Sequence, residues 1–213
     1  VETEGVSCHS SNPEKGVNAV YEMMAVIEEI RKIVPNEHPL LGKGILELTD
    51  IISKPYPGAS VVPSLCRATF DRRTLVGEDE GVILGQVNEA IARAQEKHPS
   101  LKARCYLAEG EEKCWTGETI RAKRYFPAWV VDEDSELVQG AMKGLKDAGI
   151  EAKLSHFAFC TNGSSFCGEA GIPCIGYGPS LESLAHVRDE YIEIDQLTKA
   201  CKGFECILAQ LTK

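Results

Sequence analysis

Cys66-Arg-Ala-Thr-Phe-Asp71 alternates without a break: Cys66, Ala68 and Phe70 share one face, and Arg67, Thr69 and Asp71 share the other. Successive side chains of a strand point to opposite faces, so the pattern predicts a half-buried strand. Downstream, Asp79 to about Lys97 places Ile83, Val87, Ala90, Ile91 and Ala94 on one helical stripe. Acidic residues open that segment, where the helix dipole favours them. Leu101, Ala103, Cys105 and Leu107 then alternate with Lys102, Arg104 and Tyr106 and predict another strand. Upstream, Gly44 to Ile52 is a mostly apolar strand candidate, followed by the turn chemistry of Pro55-Tyr-Pro-Gly58. Further back, Ser11-Asn-Pro-Glu14 reads as a capping box. It predicts a helix with the stripe Val17, Val20, Met24, Ile27, Ile30 and Val34, closed by Pro35, and Gly5 to His9 precedes it as a short strand. The order β-α-β-β-α-β is that of a ferredoxin-like sheet with its helices on one face.

Residues 115–213 alternate differently. Strands are predicted at Pro127 to Val131, Leu154 to Phe159 and Cys174 to Tyr177, and Ser164 opens a short helix. A helix capped by Asp134 carries Leu137, Val138, Ala141, Leu145 and Ala148 and ends at Gly149. A last helix, capped by Asp195, turns Leu197, Cys201, Phe204, Leu208 and Leu211 inward. This is a parallel α/β pattern with only about three strands, too small a sheet to bury helices on both faces. The expected organisation is α/β in two parts, a ferredoxin-like lid over residues 1–114 and a segment of a larger α/β domain over 115–213. The opening at Val1 rather than Met fits the expectation that the chain is a fragment or a processed product.

Composition narrows the function. The net charge of −9 argues against nucleic acid, whose phosphates demand a clustered basic surface. No apolar run approaches the roughly 18 residues of a membrane span, and no signal peptide is evident, so a soluble cytoplasmic protein is expected. Nine cysteines, an odd number without any CxxC, suit reduced and mostly buried thiols.

Three phrases together resemble the dizinc amidohydrolases that include aminoacylase, acetylornithine deacetylase and succinyl-diaminopimelate desuccinylase. They are Gly5-Val-Ser-Cys-His9-Ser-Ser-Asn-Pro13-Glu-Lys-Gly16-Val-Asn18-Ala19, Val62-Pro63 before Asp71-Arg72-Arg73, and Gly178-Pro179 with Ala185-His186 and Glu190. Phe159-Cys-Thr-Asn-Gly163-Ser-Ser-Phe is similar to a branch of peptidases and selenium-metabolism hydrolases. The resemblance covers essentially the whole chain. It implies a lid used for homodimerisation, inserted in a zinc-binding α/β domain. It also implies two zinc ions per full-length subunit, with cobalt or manganese as substitutes, and a small N-acyl amino acid or peptide as substrate. The family's other metal ligands and its glutamate base have no counterpart in these residues.

Carried over residue by residue, the resemblance makes His186 a metal ligand and His9 the lid histidine that stabilises an oxyanion in the partner subunit's active site. Arg73 becomes a fork for a substrate carboxylate, with Arg72 as its rival, and Asn162 and Gly178 become substrate-loop residues. Ser60 stands where many members have Asn, and Asn162 where many have Asp. The bland readings are a surface loop for His186, a polar residue near a helix cap for His9 and an exposed strand-end charge for Arg73. Cys160, Cys167 and Cys174 read as packing thiols, and Glu109-Gly-Glu111-Glu112 and Asp132-Glu-Asp134 as solvated or capping carboxylates. The expected function is therefore amide or peptide hydrolysis by a parent protein, with the isolated chain inactive. The alternative is a non-enzymatic ferredoxin-like module that dimerises and binds a small molecule.

Overall fold

Glu2–Glu4 (β1) is one of the two inner strands of a four-stranded antiparallel sheet, and the helix Ala19–Ile30 (α1) follows it. A two-residue hairpin, Glu37–His38 (β2) with Gly42–Lys43 (β3), leads to the long strands Ile45–Lys54 (β4) and Leu65–Arg73 (β5). Helix Glu80–Lys97 (α2), strand Lys102–Arg104 (β6) and the hairpin Glu109–Lys113 (β7) with Thr119–Lys123 (β8) come next. Sheet order is β4-β5-β1-β6, the ferredoxin-like arrangement that the element order predicts. The computed structural model describes residues 1–213 and divides into two units, Val1–Tyr125 and Phe126–Lys213. The first unit runs past residue 114 and includes the β7–β8 hairpin.

Both helices of the first unit bury their stripes against the sheet. Val26 and Ile30 of α1 meet Val87, Ala90, Ile91 and Ala94 of α2 over Leu101, while Ala19 and Met23 cover Cys66 and Ala68 of β5. Burying each large side chain contributes about 1.5–3 kcal/mol. The buried residues of α2 match the predicted stripe throughout.

Two expectations near the start of the chain are corrected. The first strand is Glu2–Glu4 rather than Gly5 to His9. Its buried face is polar: Thr3 is enclosed, its hydroxyl donating to the Ala19 carbonyl at 2.8 Å, so hydrophobic alternation does not reveal it. A side chain on Gly5 would put its Cβ 2.2 Å from the Val17 carbonyl oxygen, which is why the chain crosses there as glycine. The helix starts at Ala19 instead of in the Ser11–Glu14 box. Val6 and Val17 exchange both backbone hydrogen bonds at 2.9 Å, using the groups that an earlier helical turn would need. Asn18 Oδ1 accepts the Val20 N–H at 2.9 Å and caps the helix. The buried face is accordingly Ala19, Met23, Val26, Glu29 and Ile30, and the predicted Met24 and Val34 are exposed.

In the second unit, helices Glu136–Asp147 (α3) and Ile194–Leu211 (α4) pack together. Ala141, Leu145 and Ile207 form the core, with Ile150, Ala152, Ile175 and Tyr177 around it. A Cβ on Gly144 would lie 2.7 Å from the Ile207 backbone, so the close crossing depends on that glycine. Ser135, one residue past the expected Asp134, caps α3. None of the three predicted strands forms a ladder. Pairing needs a neighbouring strand, and residues 126–213 offer none to Pro127–Val131, Leu154–Phe159 or Cys174–Tyr177. α4 is also rotated from expectation: Ala200, Gly203 and Ile207 are buried, Leu197 and Leu208 are exposed, and Phe204 keeps only an edge-on contact with Tyr177. No helix is long and apolar enough to cross a membrane.

Two enclosed carboxylates tie the first unit together. Glu29 on α1 is only 4 % exposed and receives Lys32 at 2.6 Å, Lys97 of α2 at 2.5 Å and Arg93 at 3.4 Å. The hydrogen bond from Lys32, then that from Lys97, pulls its pKa down to about 2. Glu2 is also held below its usual value, chiefly by its hydrogen bond from Arg67. A carboxyl depressed in the folded state stabilises above its unfolded value of about 4.3 and loses that contribution as pH falls. Between about pH 4.5 and pH 2 the urea midpoint of the chain is therefore expected to fall more steeply than that of Glu29→Gln. Parallel slopes for the two proteins would contradict this account of Glu29.

Candidate functional site

The expected site residues fall into two groups, one on each unit. In the first unit, His9 sits in an exposed loop whose backbone is pinned by residues 60–62. His9 bridges Val61, Ser10 N–H donates to the Ser60 carbonyl at 3.0 Å, and Val62 N–H donates to the Cys8 carbonyl at 2.9 Å. The His9 ring turns Nδ1 back onto its own loop, 2.8 Å from Ser11 Oγ and accepting the Ser11 N–H at 3.2 Å. Asn12 Nδ2 donates in turn to Ser11 Oγ at 3.0 Å.

Arg73 ends β5 with its guanidinium 2.9 Å from Asp71, both side chains nearly half exposed. Its rival Arg72 is 9 % exposed and engaged with Glu78 at 2.6 Å. Glu78 also accepts from Asn36 at 2.8 Å and from the Leu75 N–H at 2.9 Å. Arg72 is thus committed to a buried structural cluster, and Arg73 is the fork that solvent and solutes can reach.

In the second unit, Asn162 opens a single wide helical turn, Ser164–Glu169, of the π type. Its carbonyl accepts from Ser165 at 3.1 Å and Phe166 at 3.2 Å, and its side chain is exposed. Such turns recur at functional sites. Gly178 is exposed with no atom crowding the space a Cβ would take. His186 has φ of 60° and its backbone N–H donates to Glu190 Oε2 at 3.0 Å. Ser180 (φ 78°) and Asp189 (φ 59°) share the left-handed conformation in the same loop. Non-glycine residues in this region cost about 1–3 kcal/mol each and persist where their surroundings impose them. Glu182 and Gln196 supply that constraint: Glu182 Oε1 accepts the Ala158 N–H at 3.0 Å, and Gln196 Oε1 accepts the Ser180 N–H at 2.7 Å. These positioning residues carry no sequence signal, because loop glutamates and glutamines ordinarily read as solvated surface.

A catalytic zinc takes about three protein ligands. No group of three or more His, Cys, Asp or Glu in the chain is placed to hold a metal ion. The donor set of residues 1–213 therefore does not complete a three-ligand zinc site around His186. Burial pushes the Cys174 thiol up, with Cys167 adding to the effect, as suits packed thiols rather than metal-bound thiolates.

Residues 1–99 match the family model of the peptidase dimerisation domain. The chain is similar to the protein YgeY of Escherichia coli (strain K12), 31% identical over 193 residues that cover 89% of this chain and 46% of that one. In fold it is similar to the aminopeptidase PepT of Bacillus cereus, with a TM-score of 0.68 and 14% identity over 100% of this chain and 50% of that one. It is likewise similar to an M20 family metallo-carboxypeptidase of Sulfolobus solfataricus, with a TM-score of 0.62 and 16% identity, covering 97% and 56% of the two chains. Residues 1–99 therefore carry a peptidase dimerisation domain, and the fold of the chain is that of these neighbours. It spans about half the length of the curated relatives it first matches.

Ser60 has φ of 57°, a conformation that Asn tolerates better than Ser. Ser60→Asn is expected to stabilise the chain by about 0.5 kcal/mol, raising the midpoint of thermal unfolding by about one to two degrees. A lowered midpoint would show that the Ser60 hydroxyl matters more than the backbone strain.

Proposed function

We propose that this chain forms the lid and part of the catalytic domain of a cytoplasmic, metal-dependent hydrolase of amide or peptide bonds. Its substrates are small N-acyl amino acids or peptides. The observation that carries the reading is the match of residues 1–99 to the peptidase dimerisation domain. The strained His186 loop on the same chain supports it, since backbone strain of this kind concentrates at functional sites. All nine cysteines are free, which suits a reducing compartment.

In this reading His186 is one ligand of a zinc site whose other ligands come from outside residues 1–213. His9 donates to the oxyanion that develops on the attacked carbonyl, in the active site of a partner subunit. Arg73 holds a substrate carboxylate by a two-pronged hydrogen bond, and Asn162 and Gly178 line the substrate loop. Fixed donors of this kind each contribute roughly 10²–10³ in rate.

After zinc loading and desalting, the purified 213-residue chain is expected to retain close to no zinc and to show no turnover of N-acyl amino acids or dipeptides. Two tightly held zinc ions, or appreciable turnover, would overturn the division of ligands. In the longer protein, His186→Ala is expected to remove zinc and lower kcat at least a hundredfold while the dimer persists. Unchanged zinc content and turnover would favour a non-enzymatic dimerising module.

The dimer is assigned to β4, the long outer strand of the sheet, whose Ile45, Ile51 and Ile52 are exposed. An unpaired apolar edge is a template for pairing with a second copy about a two-fold axis. Light scattering is expected to give twice the chain mass of 23.2 kDa, and Ile51→Lys with Ile52→Lys to halve it. A monomeric parent chain, or a dimer indifferent to both lysines, would move the interface elsewhere.

A further inference from the structure

The hydrogen bonds around His9 determine which of its two nitrogens carries the proton. A backbone N–H can only donate, and the Ser11 N–H points at Nδ1 from 3.2 Å. That contact favours a lone pair on Nδ1. Ser11 Oγ, 2.8 Å from the same nitrogen, then donates its hydroxyl proton to it. Asn12 Nδ2 reinforces that direction, because it donates to Ser11 Oγ at 3.0 Å and occupies an acceptor position on the hydroxyl. A proton on Nδ1 would face both donors head-on. In the neutral ring the remaining proton lies on Nε2, which has no partner in the chain and is exposed.

We infer that Ser11 is a positioning residue that locks His9 as an Nε2–H donor, aimed outward to meet an anionic or carbonyl oxygen. The inference rests on the proposed role of His9 and deepens it in two ways. First, it specifies the ligand chemistry: the ring offers one N–H to an acceptor oxygen and has no free lone pair for a metal, because the only lone pair is occupied at Nδ1. His9 is thus excluded from the zinc ligand set by its hydrogen bonding. Second, it gives Ser11 and Asn12 work that the helix-cap reading of this phrase does not. The structure starts the helix at Ala19 with Asn18 as its cap, which frees the Ser11 hydroxyl for the imidazole. The backbone restraints from Ser60 and Val61 keep the three residues in register.

The test is a long-range proton–nitrogen correlation spectrum of the nitrogen-15-labelled chain in alkaline buffer, with His9 identified among the five histidines by its loss in His9→Ala. Wild type is expected to show His9 as a single Nε2–H tautomer. Ser11→Ala keeps the backbone donor but loses the hydroxyl, and is expected to raise the Nδ1–H population at least threefold. Ser11→Thr retains a hydroxyl and is expected to restore the wild-type pattern. A predominantly Nδ1–H ring in wild type, or a Ser11→Ala spectrum identical to wild type, would overturn the lock. Adding zinc chloride is expected to leave the His9 signals in place, and selective broadening at His9 would also overturn it. The spectrum is read without turnover. A failure of the hydrolase reading would therefore appear in the zinc and activity measurements while the tautomer result stands.

Discussion

The first unit depends on the carboxylate of Glu2, because the strand that joins the two halves of the sheet is only three residues long. Glu2 is 2 % exposed and lies directly across from Arg67 of β5 and Arg104 of β6. Arg67 reaches it through Nε at 3.0 Å and Nη2 at 2.6 Å, and Arg104 through Nε at 2.9 Å and a second, shorter contact. Tyr106 adds its hydroxyl at 3.3 Å. Three strands are therefore clipped at one point, in addition to their backbone ladders. The guanidinium of Arg67 is about half exposed and that of Arg104 about two-thirds, so the Coulombic gain is screened, but an enclosed carboxylate with several donors is satisfied where an unpaired one would be costly.

On the other face of β1, Thr3 anchors the first residue of α1, and the apolar stripes of α1 and α2 close over the sheet. This layer holds the two ends of the His9 loop: β1 leads into it, and the segment before β5 pins it. The same strand β5 carries Arg73 at its far end. A sheet with this connectivity offers a rigid base for a loop that needs few contacts of its own, which is how an exposed histidine can be held in one orientation.

Most of the first unit was legible because its signals are local. The alternation of Cys66 to Asp71 and the stripe of α2 are periodic and apolar, and both formed as expected. The failures have identifiable causes. β1 buries a threonine and a glutamate, so hydrophobicity does not mark it. α1 starts late because Val6 and Val17 consume the backbone groups of the expected first turn. In the second unit α3 and its glycine stop were legible, but the faces of α4 were not: Leu197, Phe204 and Leu208 form the more apolar side, yet small residues are what allow α3 and α4 to approach at Gly144 and Gly203. Strand candidates there failed for a different reason, since a ladder is a property of two segments and no single segment can reveal its lack of a neighbour.

By itself, the sequence determined the ferredoxin-like order of the lid, and its resemblance to a known family singled out His9, Arg73 and His186 as candidate groups. The order follows from local periodicity, and the candidate groups from the phrases that carry the resemblance. Only the tertiary structure decided that Arg72 is committed to Glu78 while Arg73 remains accessible. It alone placed His186 in a left-handed loop tied to Glu190, and turned Nδ1 of His9 onto Ser11. Burial and hydrogen-bond direction depend on partners distant in the chain or on the exact turn of the backbone, and neither is encoded in any short run of residues.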